Sequence, residues 1–274
     1  MHPDSTLALL TPAAYGVAAV TYLGRFFRGR EIPRALLAVT LVGALALHAS
    51  WALVAGIDRG GWPAANAFEV LSGIALALVL VYASIEFRIG QTSTGFFVLV
   101  VAVGLTSMAA LEGLVLRNAT TEGLEGPIFG VHVLTEMIGC SAAALSAVYG
   151  LLYLLLYRQL KTHQFGTFYK RLPPLEVLER ITYVAALIAF ATLSIAIPLG
   201  LVQLRRVHDT WWLWDPKILT GIATWFVFGT VSASRRWLGW NGRRLAYGSL
   251  AGFALVLVSL VVVNLFLTDF HLFG

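Results

Sequence analysis

Charge is scarce in this chain. Only 12% of its 274 residues are Asp, Glu, Lys or Arg, where an average domain carries about 25%. It has a single cysteine, Cys140, so a disulfide framework is excluded. The lack of a Cys-x-x-Cys-His stretch means that the chain is not itself a c-type cytochrome. Strands of alternating polarity are missing, which argues against a membrane β-barrel. The start, Met1-His2-Pro3-Asp4, has no basic region ahead of its first apolar run. That run is therefore expected to be a span, not a cleaved signal.

What is present is grease: 58% hydrophobic residues and a mean hydropathy of +0.81. Apolar runs of roughly 20 residues, enough to cross about 30 Å of hydrocarbon, recur along the length. Continuous runs in lipid satisfy their own peptide groups only as helices. The pattern predicts an all-α, polytopic membrane bundle of about eight spans, near 6–24, 35–57, 66–87, 93–115, 130–157, 180–203, 217–234 and 245–268. A single integral-membrane domain over 1–274 is expected, with no soluble domain or repeat.

The net charge of +5 indicates no nucleic-acid partner, because position matters more than the total. Arg25, Arg28, Arg30, Arg34, Arg88, Arg158, Lys161, Lys170, Arg171, Arg180, Arg235, Arg236, Arg243 and Arg244 fall on one side of the eight spans. Arg59, Arg117, Arg205, Arg206 and Lys217 fall on the other. The side rich in basic residues is predicted to be cytoplasmic, which puts both termini outside. The longest inner loop, 158–180, contains Leu172-Pro173-Pro174-Leu175-Glu176, which stops one helix and restarts another.

The outer stretch 203–217 holds Arg205, Arg206, His208, Trp211, Trp212, Trp214, Asp215, Pro216 and Lys217. Indoles offer flat apolar area with one donor each, and the cations suit anionic groups such as propionates. Asp215 before Pro216 also reads as a capping carboxylate at a helix start. His132 opens span five and His271 follows span eight, at a depth similar to His208. Neutral imidazole is a common iron ligand, and two from different helices can approach one flat ring from opposite faces. Any one of them taken singly reads better as a polar interfacial anchor. It is three converging beside the tryptophans that brings the ligand reading level with it. Glu136 and Cys140 follow His132 on one helical stripe, so Glu136 can orient the imidazole, relay a proton or bond backbone. His48 falls mid-span, where an ionisable residue marks either a site or a hydrogen bond to a neighbouring helix. His2 and His163 read as solvated. Trp62, in the outer loop 57–66 with Asn66 and Glu69, is a belt anchor or part of a site.

Trp-x-Trp-Asp-Pro-Lys at the outer start of a span resembles the tryptophan-rich WWD motif of the cytochrome c assembly superfamily. Leu47-His48-Ala49-Ser50, the Pro63-x-x-Asn66-x-x-Glu69 stretch, His132, Trp225 and Asn264 through His271 resemble its CcsA and HemX-like branch. The Leu-Pro-Pro-Leu-Glu entry to span six is closest to eight-span HemX-like members. The resemblance implies haem handling on the outer face, with non-covalent, b-type haem between His132 and His271 (His48 and His208 being further candidates). It implies Trp211, Trp212 and Trp214 as the surface beneath, and Asp215, Arg205, Arg206 and Lys217 around it. A CcsB-like partner or an apocytochrome c, and a bacterial inner membrane, are implied as well. Ile218 stands where haem lyases carry Glu, and Val231-Ser232-Ala233-Ser234-Arg235 where they carry a histidine. The chain also lacks the large partner portion of those lyases, so a complete synthase is not expected. The alternative is a non-catalytic HemX-like regulator of tetrapyrrole synthesis acting through loop 158–180. A solute transporter ranks last, for want of paired broken helices.

Overall fold

In hydrocarbon an unpaired peptide group costs several kcal/mol, so an apolar run folds on itself as a helix and continues until lipid or a breaker ends it. A computed structural model of the chain describes residues 3–59, 67–115, 126–163, 165–208, 214–240 and 242–261. These form α1 (Pro3–Arg28), α2 (Arg34–Arg59), α3 (Ala67–Ile89), α4 (Gly95–Val115), α5 (Pro127–Lys161), α6 (Thr167–Arg171), α7 (Leu175–His208), α8 (Pro216–Ala233) and α9 (Gly242–Leu257). The all-α class holds, and the helices other than the short α6 fall on the eight expected spans. Among the described residues, six helices are long and apolar enough to cross a membrane, and α4 contributes a shorter apolar stretch, Gly95–Leu111.

Helix ends differ from span ends for a simple reason. Charged residues leave the hydrocarbon without leaving the helix, since Arg, Lys, Glu and Gln are all good helix formers. α7 accordingly starts at Leu175, straight after Pro173-Pro174, and runs on to His208. Arg205 and Arg206, expected in a loop, lie on its last turns.

The chain divides into two compact units. In the first, α1 packs on α2 and α4. The phenols of Tyr22 and Tyr82 donate to Glu86 Oε2 at 2.7 and 2.6 Å, giving a buried carboxylate its partners. Segment 159–173 belongs to this unit, and Phe168 of α6 joins Phe26 and Phe97 in an aromatic cluster.

In the second unit, α7, α8 and α9 pack on one another, and α9 runs antiparallel to α5. Gly242 lies at Tyr153, Gly150 against the Ala246 backbone, and Ser249 Oγ 2.8 Å from Ser146 Oγ. Ser146 also bonds the Thr182 carbonyl at 2.9 Å, tying α5 to α7. Small residues serve here because lipid offers helices no hydrophobic drive to associate, so close approach of backbones must supply it.

A Cβ at Gly150 would lie 3.2 Å from Ala246 Cα and 3.3 Å from its carbonyl oxygen, neither of which can yield. Gly150→Leu is expected to lower unfolding stability in detergent by about 1–3 kcal/mol. Gly16→Ala, at a site with nothing within 4 Å, should change it by less than about 1 kcal/mol in the same assay.

Candidate functional site

The start of α5, the end of α7 and the start of α8 come together at one end of the second unit. Pro127 opens α5, where a missing N–H costs nothing. On the next turn His132 turns its ring onto α7. Its Nδ1 lies 2.8 Å from the Ala196 carbonyl oxygen. A carbonyl only accepts, so Nδ1 carries the proton, and in the neutral imidazole the lone pair resides on Nε2. Nε2 faces Glu136 Oε2 at 3.5 Å, and the two side chains are 21% and 23% exposed. The ring rests on Gly200, where a Cβ would come within 2.7 Å of Cε1. α7 can therefore seat an imidazole only with a bare backbone at that position.

Cys140, a turn beyond Glu136, is buried. α8 packs on α7, the helix that seats the His132 ring. Asp215 is the N-cap of α8: its carboxylate accepts from the Lys217 N–H at 2.7 Å, with Pro216 at the first helical position. It is itself buried, 2% exposed. Trp214, its neighbour, is 81% exposed, leaving a whole indole face available. Arg205 and Arg206 are exposed on the last turns of α7. His208 ends that helix, and its side chain lies outside the described residues, as do Trp211, Trp212, Trp62 and His271.

Deeper in α8, Trp225 donates its Nε1–H to Ser194 Oγ at 2.7 Å and lies against Phe190, with ring centroids 5.3 Å apart. This places Trp225 in the α7–α8 contact.

His48 is in the first unit and fully buried. Its Nδ1 is 2.9 Å from the Tyr15 hydroxyl and its Nε2 2.8 Å from Ser72 Oγ. Both ring nitrogens are thus engaged by hydroxyls on neighbouring helices. Glu69 is likewise fully buried, in the first turn of α3. Sequence reasoning passed over Tyr15, Ser72, Ala196 and Gly200. The nearest available signal was Gly200 two residues after Pro198, a small residue beside a helix irregularity. The carbonyl of an alanine carries no signal at all.

Among the described residues no group of three or more His, Cys, Asp or Glu is placed to hold a metal ion. Residues 64–271 match the family described as cytochrome C assembly protein. The chain belongs to the cytochrome c assembly family. Among its relatives, the cytochrome c biogenesis protein CcsA of Guillardia theta is 25% identical over 236 residues, covering 80% of this chain and 78% of its own. CcsA of Microcystis aeruginosa is 25% identical over 278 residues, covering 84% and 83%. CcsA of Trichodesmium erythraeum is 34% identical over 105 residues, a shorter match covering 38% and 30%.

If Asp215 acts through its capping bond, Asp215→Ala should cost about 0.5–2 kcal/mol of stability, and Asp215→Asn should restore most of it. Chemical unfolding of both variants in one detergent checks this. Equal losses would mean that the charge, not the cap, is what matters.

Proposed function

We propose that this protein handles haem for cytochrome c biogenesis. It holds haem at the outer face of a bacterial inner membrane and presents it to an apocytochrome c, with a CcsB-like partner. His132 and His271 are the iron ligands. Trp211, Trp212 and Trp214 form the apolar surface, and Arg205, Arg206 and Lys217 pair with the propionates. Asp215 supports that surface by fixing where α8 begins.

The single observation that carries the reading is the seat of His132. A ligating imidazole needs one nitrogen tethered through N–H and the other left as a lone-pair donor, and such tethers commonly run to a backbone carbonyl or carboxylate. The Ala196 carbonyl supplies the tether, and Nε2, 3.5 Å from Glu136 Oε2 on a side chain that is 21% exposed, is the nitrogen we assign to the iron. The exposed indole of Trp214 and the nearby cations of Arg205 and Arg206 have the chemistry a flat, apolar, dianionic ligand requires. His48 has no such spare nitrogen, and we assign it to packing. A bound haem supplies vinyl groups, across which the S–H bonds of apocytochrome cysteines add to form thioethers without an external oxidant. The residues of this chain contribute binding and orientation.

The test is an absorption spectrum of the detergent-purified protein, oxidised and then reduced with dithionite. The expected result is a Soret band with sharp reduced bands, as a six-coordinate, low-spin iron gives. His132→Ala and His271→Ala should each abolish the sharp bands. His48→Ala should keep them while lowering stability by about 1–3 kcal/mol, the cost of stranding buried hydroxyls. No Soret band, even after haem is added back, overturns the reading. Variants at 132 and 271 that leave the bands unchanged overturn the ligand assignment alone.

The orientation is tested separately. A reporter that works only outside the cytoplasm, fused after Gly274, should be active. Activity confined to a cytoplasmic reporter would put this site on the wrong side.

A further inference from the structure

The opposite end of the second unit, where α5 ends, α7 starts and α8 turns into α9, carries a second concentration of chemistry. α8 finishes in one wider π-turn, Ser234–Leu238, and the chain reverses at Gly239, whose φ of 56° is left-handed and suits glycine. Only residues 239–241 separate this turn from α9. The stretch Arg235-Arg236-Trp237-Leu238-Gly239-Trp240-Asn241-Gly242-Arg243-Arg244 contains four arginines and no acid.

Two of these guanidiniums are held on aromatic faces. Arg235 donates to Glu179 Oε1 at 2.8 Å and lies 4.9 Å from the Tyr183 ring centroid. Arg243 donates to the Tyr157 hydroxyl at 3.3 Å and lies 5.2 Å from that ring's centroid. Tyr157 is stacked on Tyr153, with the planes 11° apart. The other Glu179 oxygen reaches the first turn of α9, where a Cβ on Gly242 would meet it at 2.6 Å. Arg235, Glu179, Tyr153, Gly242 and Arg243 are therefore one connected cluster. Glu179 is the carboxylate bonded within it, and the stretch of sequence around it adds four arginines and no acid.

The depth of the cluster identifies the ligand. A connection this short between two membrane helices cannot lift its side chains far from the ends of those helices. Trp237 is 79% exposed and Tyr247 60% exposed, and both residue types favour the interfacial layer. Guanidiniums at that depth face lipid phosphates, which accept several N–H bonds from a planar fork of five. Pre-ordering on a tyrosine face reduces the entropy lost on binding.

We propose that this rim binds the phosphate of an anionic phospholipid headgroup through Arg243, Arg244 and Arg235, with Trp237 and Tyr247 seated in the surrounding interface. The site is independent of the haem reading and fails or stands without it.

The experiment uses the full chain in detergent with added phosphatidylglycerol or phosphatidylcholine. It reads lipid retained through delipidation by native mass spectrometry, and the thermal midpoint. Phosphatidylglycerol should be retained selectively and should raise the midpoint, and inorganic phosphate should do neither. Arg243→Gln with Arg244→Gln should weaken phosphatidylglycerol binding about twentyfold, the effect of losing two interfacial charges. The charge-matched pair Arg34→Gln with Arg88→Gln, in the first unit, should leave it unchanged. Arg243→Lys with Arg244→Lys keeps the charge but loses the planar fork. It should weaken the binding measurably, though by less than the glutamine pair, whereas unchanged binding would overturn the guanidinium site. The lysine pair also serves if the glutamine pair fails to fold. Equal retention of both lipids by the unaltered protein, or equal losses in the two glutamine pairs, overturns the site in favour of a diffuse surface charge. The same stabilisation by inorganic phosphate would make it a soluble-anion site.

Discussion

A peptide group in hydrocarbon has no water to turn to, and most of this architecture follows from that constraint. Long helices carry their peptide hydrogen bonds internally, and many of the serine and threonine hydroxyls in the spans return their protons to the preceding turn. Thr11 bonds Leu7, Thr106 bonds Ala102, Ser141 bonds Met137, Thr182 bonds Leu178 and Ser194 bonds Phe190, all to carbonyls and all at 2.7–2.8 Å. A serine or threonine treated this way behaves toward lipid as a small apolar residue. α7 contains the exception that matters. Pro198 brings no N–H to the helix ladder, and within two residues on either side lie the Ala196 carbonyl and the bare Gly200 on which His132 rests.

The two described intramembrane or interfacial histidines with resolved contacts show how the same side chain reaches opposite ends. His48 is sealed, with a hydroxyl on each nitrogen, and so contributes a cross-link among α1, α2 and α3. His132 has one nitrogen tethered and the other at a partly open edge beside a carboxylate. The difference comes from depth and from what the neighbouring helices present. A mid-span histidine meets only side chains and must be satisfied by them. A histidine near a helix start retains access to whatever lies outside.

The second unit sorts its chemistry by end. Its middle is held by glycine, alanine and serine in close contact, which leaves no room for a ligand between α5 and α9. Ionisable groups lie at the rims: His132, Glu136, Asp215 and Lys217 at one, and Glu179, Arg235 and Arg243 at the other. An exposed ion pair such as Arg235–Glu179 adds little stability by itself. Its value lies in holding a guanidinium in place.

Much of this was legible in the sequence. Eight apolar runs became the long helices because length and hydropathy leave a membrane segment no alternative to helix. Asp215-Pro216 marked the start of α8 because a capping carboxylate and a proline at the first turn are local chemistry, complete within four residues. Pro173-Pro174 marked the start of α7 for the same reason. The helix α7 continues past the end of its apolar run, because charge ends a span and not a helix. What only tertiary structure decided was which atoms meet across helices. That His48 is closed by Tyr15 and Ser72, that an alanine carbonyl sets the tautomer of His132, and that Gly200 must lack a side chain all depend on helix rotation and approach. A one-dimensional pattern fixes neither, since several rotations bury the same apolar residues equally well.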